Sequence, residues 1–120
     1  MRPHRALSPQ ENLALERLRG IAGSLPGSVE SVTFTHPTFK VAGRTFAVLD
    51  RYHGRECLWL RVDPMERAGL LAASGWFESP YDPRRTALCC DLESIDWRRM
   101  RALVRRSHAL AGPGPAKRGR

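Results

Sequence analysis

Five arginines, Arg98, Arg99, Arg101, Arg105 and Arg106, fall within residues 96–106, where Asp96 is the one acid. A guanidinium is permanently charged and donates in a planar fork that matches phosphate, so such a cluster suits holding a polyanion rather than performing a reaction. At roughly 100° per residue, a helix from near Asp96 to near Gly112 sets these arginines opposite Met100, Leu103, Val104, Ser107, Leu110 and Ala111, with Trp97 at the edge. The face has no acid for i,i+4 pairing, and Arg98 and Arg99 stand in the first turn, where the helix dipole disfavours cations. Helix stability therefore did not select them. A charged outer face is ordinarily only a solvated one. Here, either another element supplies carboxylates or a polyanion does.

Two loops offer further cations. "RYHGRE" carries Arg51, Tyr52, His53 and Arg55 between two strand-like stretches. As a wing it would use arginine on phosphates and the rings for stacking. Asp50 and Glu56 flank it and cancel its charge, which suits a plain hairpin with cross-strand pairs. "YDPRRT" sets Arg84 and Arg85 against Asp82 and stays slightly basic.

Other chemistry finds little support. Cys57, Cys89 and Cys90 include no CxxC pair, which makes them small buried residues rather than metal ligands. His4, His36, His53 and His108 lie far apart, without ligand spacing. No metal or cofactor is expected. There is no glycine-rich phosphate loop, nucleophile elbow or carboxylate pair, so no catalytic role is expected either. His53 and Cys57 are four residues apart across a turn, but nothing marks the thiol as activated.

The elements that must position these residues follow from period and punctuation. Ser8-Pro9-Gln10-Glu11 is a capping box with proline at the first helical position, and Ala14, Leu18, Ile21, Ala22 and Leu25 continue at helical spacing. From Val32 to Val62 the period becomes two, over "VTFT", "TFKV", "RTFAVLD" and "ECLWLRV", with turns at Gly43 and Gly54. Asp63-Pro64-Met65-Glu66 starts a short helix to about Ala73. An irregular stretch, "SGWFESPYDPRRT", precedes a further strand, "TALCCDL". The expectation is one α+β domain over residues 8–112, a twisted antiparallel sheet with helices on one face. Residues 1–7 and 113–120 are expected to be disordered basic ends.

The charge is concentrated. The 120 residues carry a formal net charge of +8. Outside the two ends and residues 96–106, basic and acidic residues nearly cancel. No apolar run approaches the ~18 residues of a membrane span. The N-terminus lacks the apolar core of a secretory signal, which with the cysteine usage gives a cytoplasmic expectation and no membrane partner.

"HPTFKVAGRTFAVL", after Leu25-Pro26-Gly27, resembles the MmcQ/YjbR family, whose members carry Pro-x-Phe-Lys-Val-x-Gly-Lys/Arg-x-Phe-Ala there. The matching residues are Pro37, Phe39, Lys40, Val41, Gly43, Arg44, Phe46 and Ala47. "LRVDPMERAGLLAASGWFESPY" and "ALCCDLESIDWRRMRALVRRSHALAGP" resemble the family's later blocks, in order. The resemblance implies an α-β(3)-α-β(2)-α arrangement similar to secretion chaperones and, more loosely, to frataxin. A frataxin-like iron site would need an acidic first helix, whereas Glu11 and Glu16 here are offset by Arg17 and Arg19. The resemblance also implies a double-wing DNA-binding role, with hairpin loops as wings, and brings no catalytic residues. Two function classes remain open. One is low-specificity nucleic-acid binding through Arg98, Arg99, Arg101, Arg105 and Arg106, assisted by Arg84, Arg85, Arg51 and Arg55. The other is a protein-interaction module, with an acidic partner or as a homodimer.

Overall fold

The structure, a computed structural model, describes residues 3–112. The first helix, α1 (Pro9–Ala22), is closed at its start by the expected capping box: Ser8 Oγ accepts from Glu11 N, and the Glu11 carboxylate accepts from Ser8 N. Strands β1 (Ser28–Thr33), β2 (His36–Val41), β3 (Arg44–Tyr52) and β4 (Arg55–Arg61) follow as a meander. Helix α2 (Pro64–Leu71) is capped by Asp63, and strands β5 (Trp76–Glu78) and β6 (Ala87–Asp91) lead through a 3-10 turn to α3 (Trp97–Ala111). The first run thus has four strands, one more than the arrangement implied by the resemblance; the number matches the four segments of period two, but the first segment is displaced, because β1 begins at Ser28 and Phe34 and Thr35 form the β1–β2 turn. Strand β5 lies inside the stretch expected to be irregular. It has three residues and owes its extension to pairing with β6.

All six strands join one antiparallel sheet in the order β1-β2-β3-β4-β6-β5. Alternation sorts the side chains into two faces. Ala47, Leu49, Leu58, Leu60 and Cys90 face α1 and α3 and pack with Leu15, Leu18, Met100 and Val104. Leu70 of α2 joins the same layer beside Val62, Leu88 and Leu103, so all three helices cover one face. Ser107 ties α3 to the sheet: its buried hydroxyl donates to Phe46 O at 2.6 Å and accepts from Arg61 N at 2.9 Å.

The opposite face carries Thr38, Val48, Tyr52, Cys57, Trp59, Phe77 and Cys89. None of α1, α2 and α3 lies on it. The loop after β5 supplies Ser79 and Tyr81, which meet Tyr52. The three thiols are buried and free, as expected for small packing residues. Burial pushes the Cys90 thiol up to about 12, so it is no nucleophile at neutral pH.

The N-terminal expectation needs correction. Residues 3–7 are not loose: Arg5 N donates to Thr35 O at 2.7 Å, and Leu7 packs on the core. The Arg5 side chain anchors them, because its guanidinium reaches a buried carboxylate. The basic residues expected at 113–120, and Arg2, lie outside the described residues.

Candidate nucleic-acid interface

Helix α3 carries its buried stripe, Met100, Val104, Ser107 and Ala111, toward the sheet. The helical period then turns Arg98, Arg99, Arg101, Arg105 and Arg106 outward, and all five are exposed. Asp96 caps the helix by accepting from Arg98 N and Arg99 N, so the lone acid of the segment is spent on backbone donors. Among the described residues, the one ion pair of this face is to Glu66, whose Oε1 lies 4.0 Å from Arg106 Nε. Arg98, Arg99, Arg101 and Arg105 make no ion pair among the described residues.

One aromatic extends the face toward α1. Trp97 is half-buried, with the Arg17 guanidinium 5.9 Å from its ring centroid. Arg17, Gly20, Ile21, Trp97 and Arg101 line one shallow hollow of about 290 Å³. A ring between two cations is the arrangement that holds a stacked base beside its phosphates. From the sequence, Trp97 is only the edge of the apolar stripe and Arg17 a counterweight to acids. The spacing Trp97–Arg101, one helical turn, was the available signal.

The remaining expected arginines are placed differently. Arg51 is paired with the buried carboxylate of Glu11, and Glu56 lies 4.0 Å away. Arg55 donates to both Asp91 oxygens, at 2.6 and 3.0 Å, and its guanidinium lies 3.6 Å over the Phe77 ring. These contacts hold the hairpin loop to α1 and β6, so neither cation is free to meet a phosphate. Arg85 pairs with Glu78, which it shares with Arg67. Arg84 is exposed, in the loop between β5 and β6. The structure therefore brings together Arg98, Arg99, Arg101, Arg105 and Arg106, adds Arg17, and leaves Arg51, Arg55, Arg84 and Arg85 outside that cluster.

Glu11 is the hub of the charged layer behind the hairpin. Its carboxylate accepts from Arg5 Nη1 at 3.0 Å, Arg5 Nη2 at 2.8 Å, Ser8 N at 3.0 Å and Arg51 Nη2. Burial alone would raise its pKa. The Arg5 and Arg51 guanidiniums outweigh that and hold the carboxyl below its usual range. Arg5 Nε also donates to His36 Nδ1 at 2.7 Å, and His36 Nε2 faces Asp50 Oδ1 at 3.3 Å. Arginine cannot accept, so Nδ1 carries the lone pair and Nε2 the proton. Burial, offset in part by Asp50, lowers the pKa of His36.

Both shifts have the same consequence for pH. Below the ordinary histidine value of about 6.5 the unfolded chain binds a proton that the folded one refuses, so stability falls as pH drops through that value. The Glu11 contribution is present above the ordinary carboxylate value and is lost as pH falls through its depressed one. Urea titrations at pH 7.5 and 5.5 should therefore show a lower midpoint at 5.5, and His36→Gln should remove most of that difference. An unchanged midpoint would contradict the neutral histidine.

No helix among the described residues is long and apolar enough to cross a membrane. No group of three or more potential metal ligands exists among them. Comparison with known proteins adds the family. A search of curated proteins finds no match. Among solved structures, the chain is similar to the crystal structure of Deinococcus radiodurans protein DR2400, which carries the family-model domain DUF419. The TM-score is 0.70 at 24% identity, over 80% of this chain and 76% of that one, a likeness of fold. The YjbR family model matches residues 23–110, from the end of α1 almost to the end of α3, and this chain belongs to the YjbR family.

Proposed function

We propose that this chain is a binding module for nucleic acid, held through phosphate contacts by the exposed arginine face of α3 and extended over Trp97 and Arg17 to α1. The supporting observation is the unequal distribution of carboxylates. Arg5, Arg19, Arg51, Arg55, Arg67 and Arg85 each pair with an acid within 3.2 Å. The five arginines of the α3 face have no pair that close, and a single longer one, Arg106 to Glu66 at 4.0 Å, among the described residues. Like charges placed together without partners destabilise a helix, so their retention fits an external polyanion. Contacts to phosphate carry no sequence information, so the expected binding is sequence-tolerant. The role assigned is binding alone, with no catalytic step.

Fluorescence anisotropy with labelled duplex DNA over a salt series tests this. Four phosphate contacts give a slope of about −3.6 in log K against log salt, or roughly a hundredfold loss between 50 and 200 mM. A flat salt response, or no binding to DNA or RNA, would reject the reading and favour an acidic protein surface as the partner.

A further inference from the structure

On the sheet face away from α3, a groove of about 480 Å³ is lined by Phe34, His36, Asp50, Arg51, Tyr52, His53 and Tyr81. Its volume lies within the range of small-molecule sites. Three aromatic rings border it, and two of them are largely exposed: Phe34 at 89%, and Tyr81 at 77%, which touches the Tyr52 ring at one edge of the groove. Phe34 also occupies a costly position. With Thr35 it forms the β1–β2 turn, and both residues have positive φ, 47° and 69°. Such a turn normally takes Asn-Gly, because a bulky or β-branched residue is strained there. Fold stability thus gives no reason for a phenylalanine at that corner.

The polar floor is set by the chain Glu11–Arg5–His36–Asp50. Both ring nitrogens of His36 are engaged, Nδ1 by Arg5 and Nε2 by Asp50, so the imidazole has no free lone pair to act as a base. Asp50 Oδ1 already accepts from Arg51 N at 2.8 Å as well as facing His36. The Asp50 carboxylate lines the groove beside Tyr52. Arg51 lines the groove but is bound to Glu11, with Glu56 nearby. Asp50, Glu11 and Glu56 against Arg5 and Arg51, with His36 neutral, give the ion-paired network behind the groove one net negative charge, and Asp50 is the carboxylate of that network that lines the groove.

We propose that this groove binds a small organic cation, an alkylammonium group seated against Phe34, Tyr52 and Tyr81 with Asp50 as its counter-charge. Ring faces attract cations through their quadrupole, and a carboxylate at the same site excludes anions. The groove lies across the sheet from the arginine face, so this site stands independently of the nucleic-acid reading.

The test is an NMR titration of the full chain with tetramethylammonium and with choline at constant ionic strength, with the uncharged isostere 3,3-dimethyl-1-butanol beside them. Saturable shifts should appear at Phe34, Asp50, Tyr52 and Tyr81 with the two cations and not with the alcohol. Phe34→Ala and Tyr81→Ala should each weaken binding about fivefold. Both side chains are largely exposed, so these variants should keep the wild-type melting temperature. Arg98, Arg101 and Arg105 changed together to Glu should leave cation binding intact. Equal shifts with the alcohol, absence of saturation by either cation, or affinity unchanged in both alanine variants would overturn the proposal.

Discussion

Changing Arg98, Arg101 and Arg105 together to glutamate should abolish binding to duplex DNA at physiological salt, a loss of at least about a hundredfold. Each removed phosphate contact lowers the salt slope by about one, so any residual binding should have a slope no steeper than about −0.9. The three side chains are exposed and have no carboxylate partner among the described residues, so no internal pair is broken. The fold should persist: α3 keeps its buried stripe, its Asp96 cap and the Ser107 bonds to the sheet. Glutamate in the first turn also suits the helix dipole better than arginine, so the melting temperature should hold or rise slightly. As a control, Arg51→Gln should lower stability rather than DNA affinity, because that cation is tied to Glu11. Equal losses of DNA binding from both variants would mean that the hairpin loop shares the footprint.

Glu11→Ala should produce the largest stability loss of any single charged residue, about 3 kcal/mol. The carboxylate is buried, and its removal strands two guanidiniums while deleting half of the capping box. Arg5 is the more buried partner, at 15% exposure, and also loses the anchor that holds residues 3–7. Arg51, at 34%, can recover some hydration, which keeps the expected loss at the lower end for a broken buried pair. For a domain of this size the loss corresponds to a fall in melting temperature of roughly 10–20 °C. Glu11→Gln keeps the shape and part of the cap but removes the charge, so it should fall in between. A loss below about 0.5 kcal/mol, as for an exposed pair, would show that Glu11 is not the hub described here.

Local rules were legible in the sequence; long-range partners were not. The capping box at Ser8–Glu11 was readable because both groups lie within one turn. The period of two and the turns at Gly43 and Gly54 located β2, β3 and β4. The helical period of α3 sorted its five arginines outward correctly, because a buried stripe fixes the rotation of a helix. Pairing was harder. The balance of charge around residues 50–56 suggested partners within the hairpin; Arg51 does face Glu56 across the strands at 4.0 Å, but the shorter pairs reach beyond the hairpin, Arg51 to Glu11 and Arg55 to Asp91. Those contacts depend on where α1 and β6 lie, which local spacing does not encode. The hollow at Trp97 needs α1 beside α3, and the groove at Asp50 needs the β1–β2 turn, β3 and the loop after β5 to converge. Strand β5 escaped for the same reason, since three residues have no period of their own.

The most direct test compares the full chain with one ending at Ala111, both titrated against labelled duplex DNA over the salt series described above. Binding through the folded α3 face predicts that the shortened chain retains the affinity to within a few-fold and a slope of about −3.6. If affinity and slope both disappear with residues 112–120, the arginine face of α3 is not the nucleic-acid site.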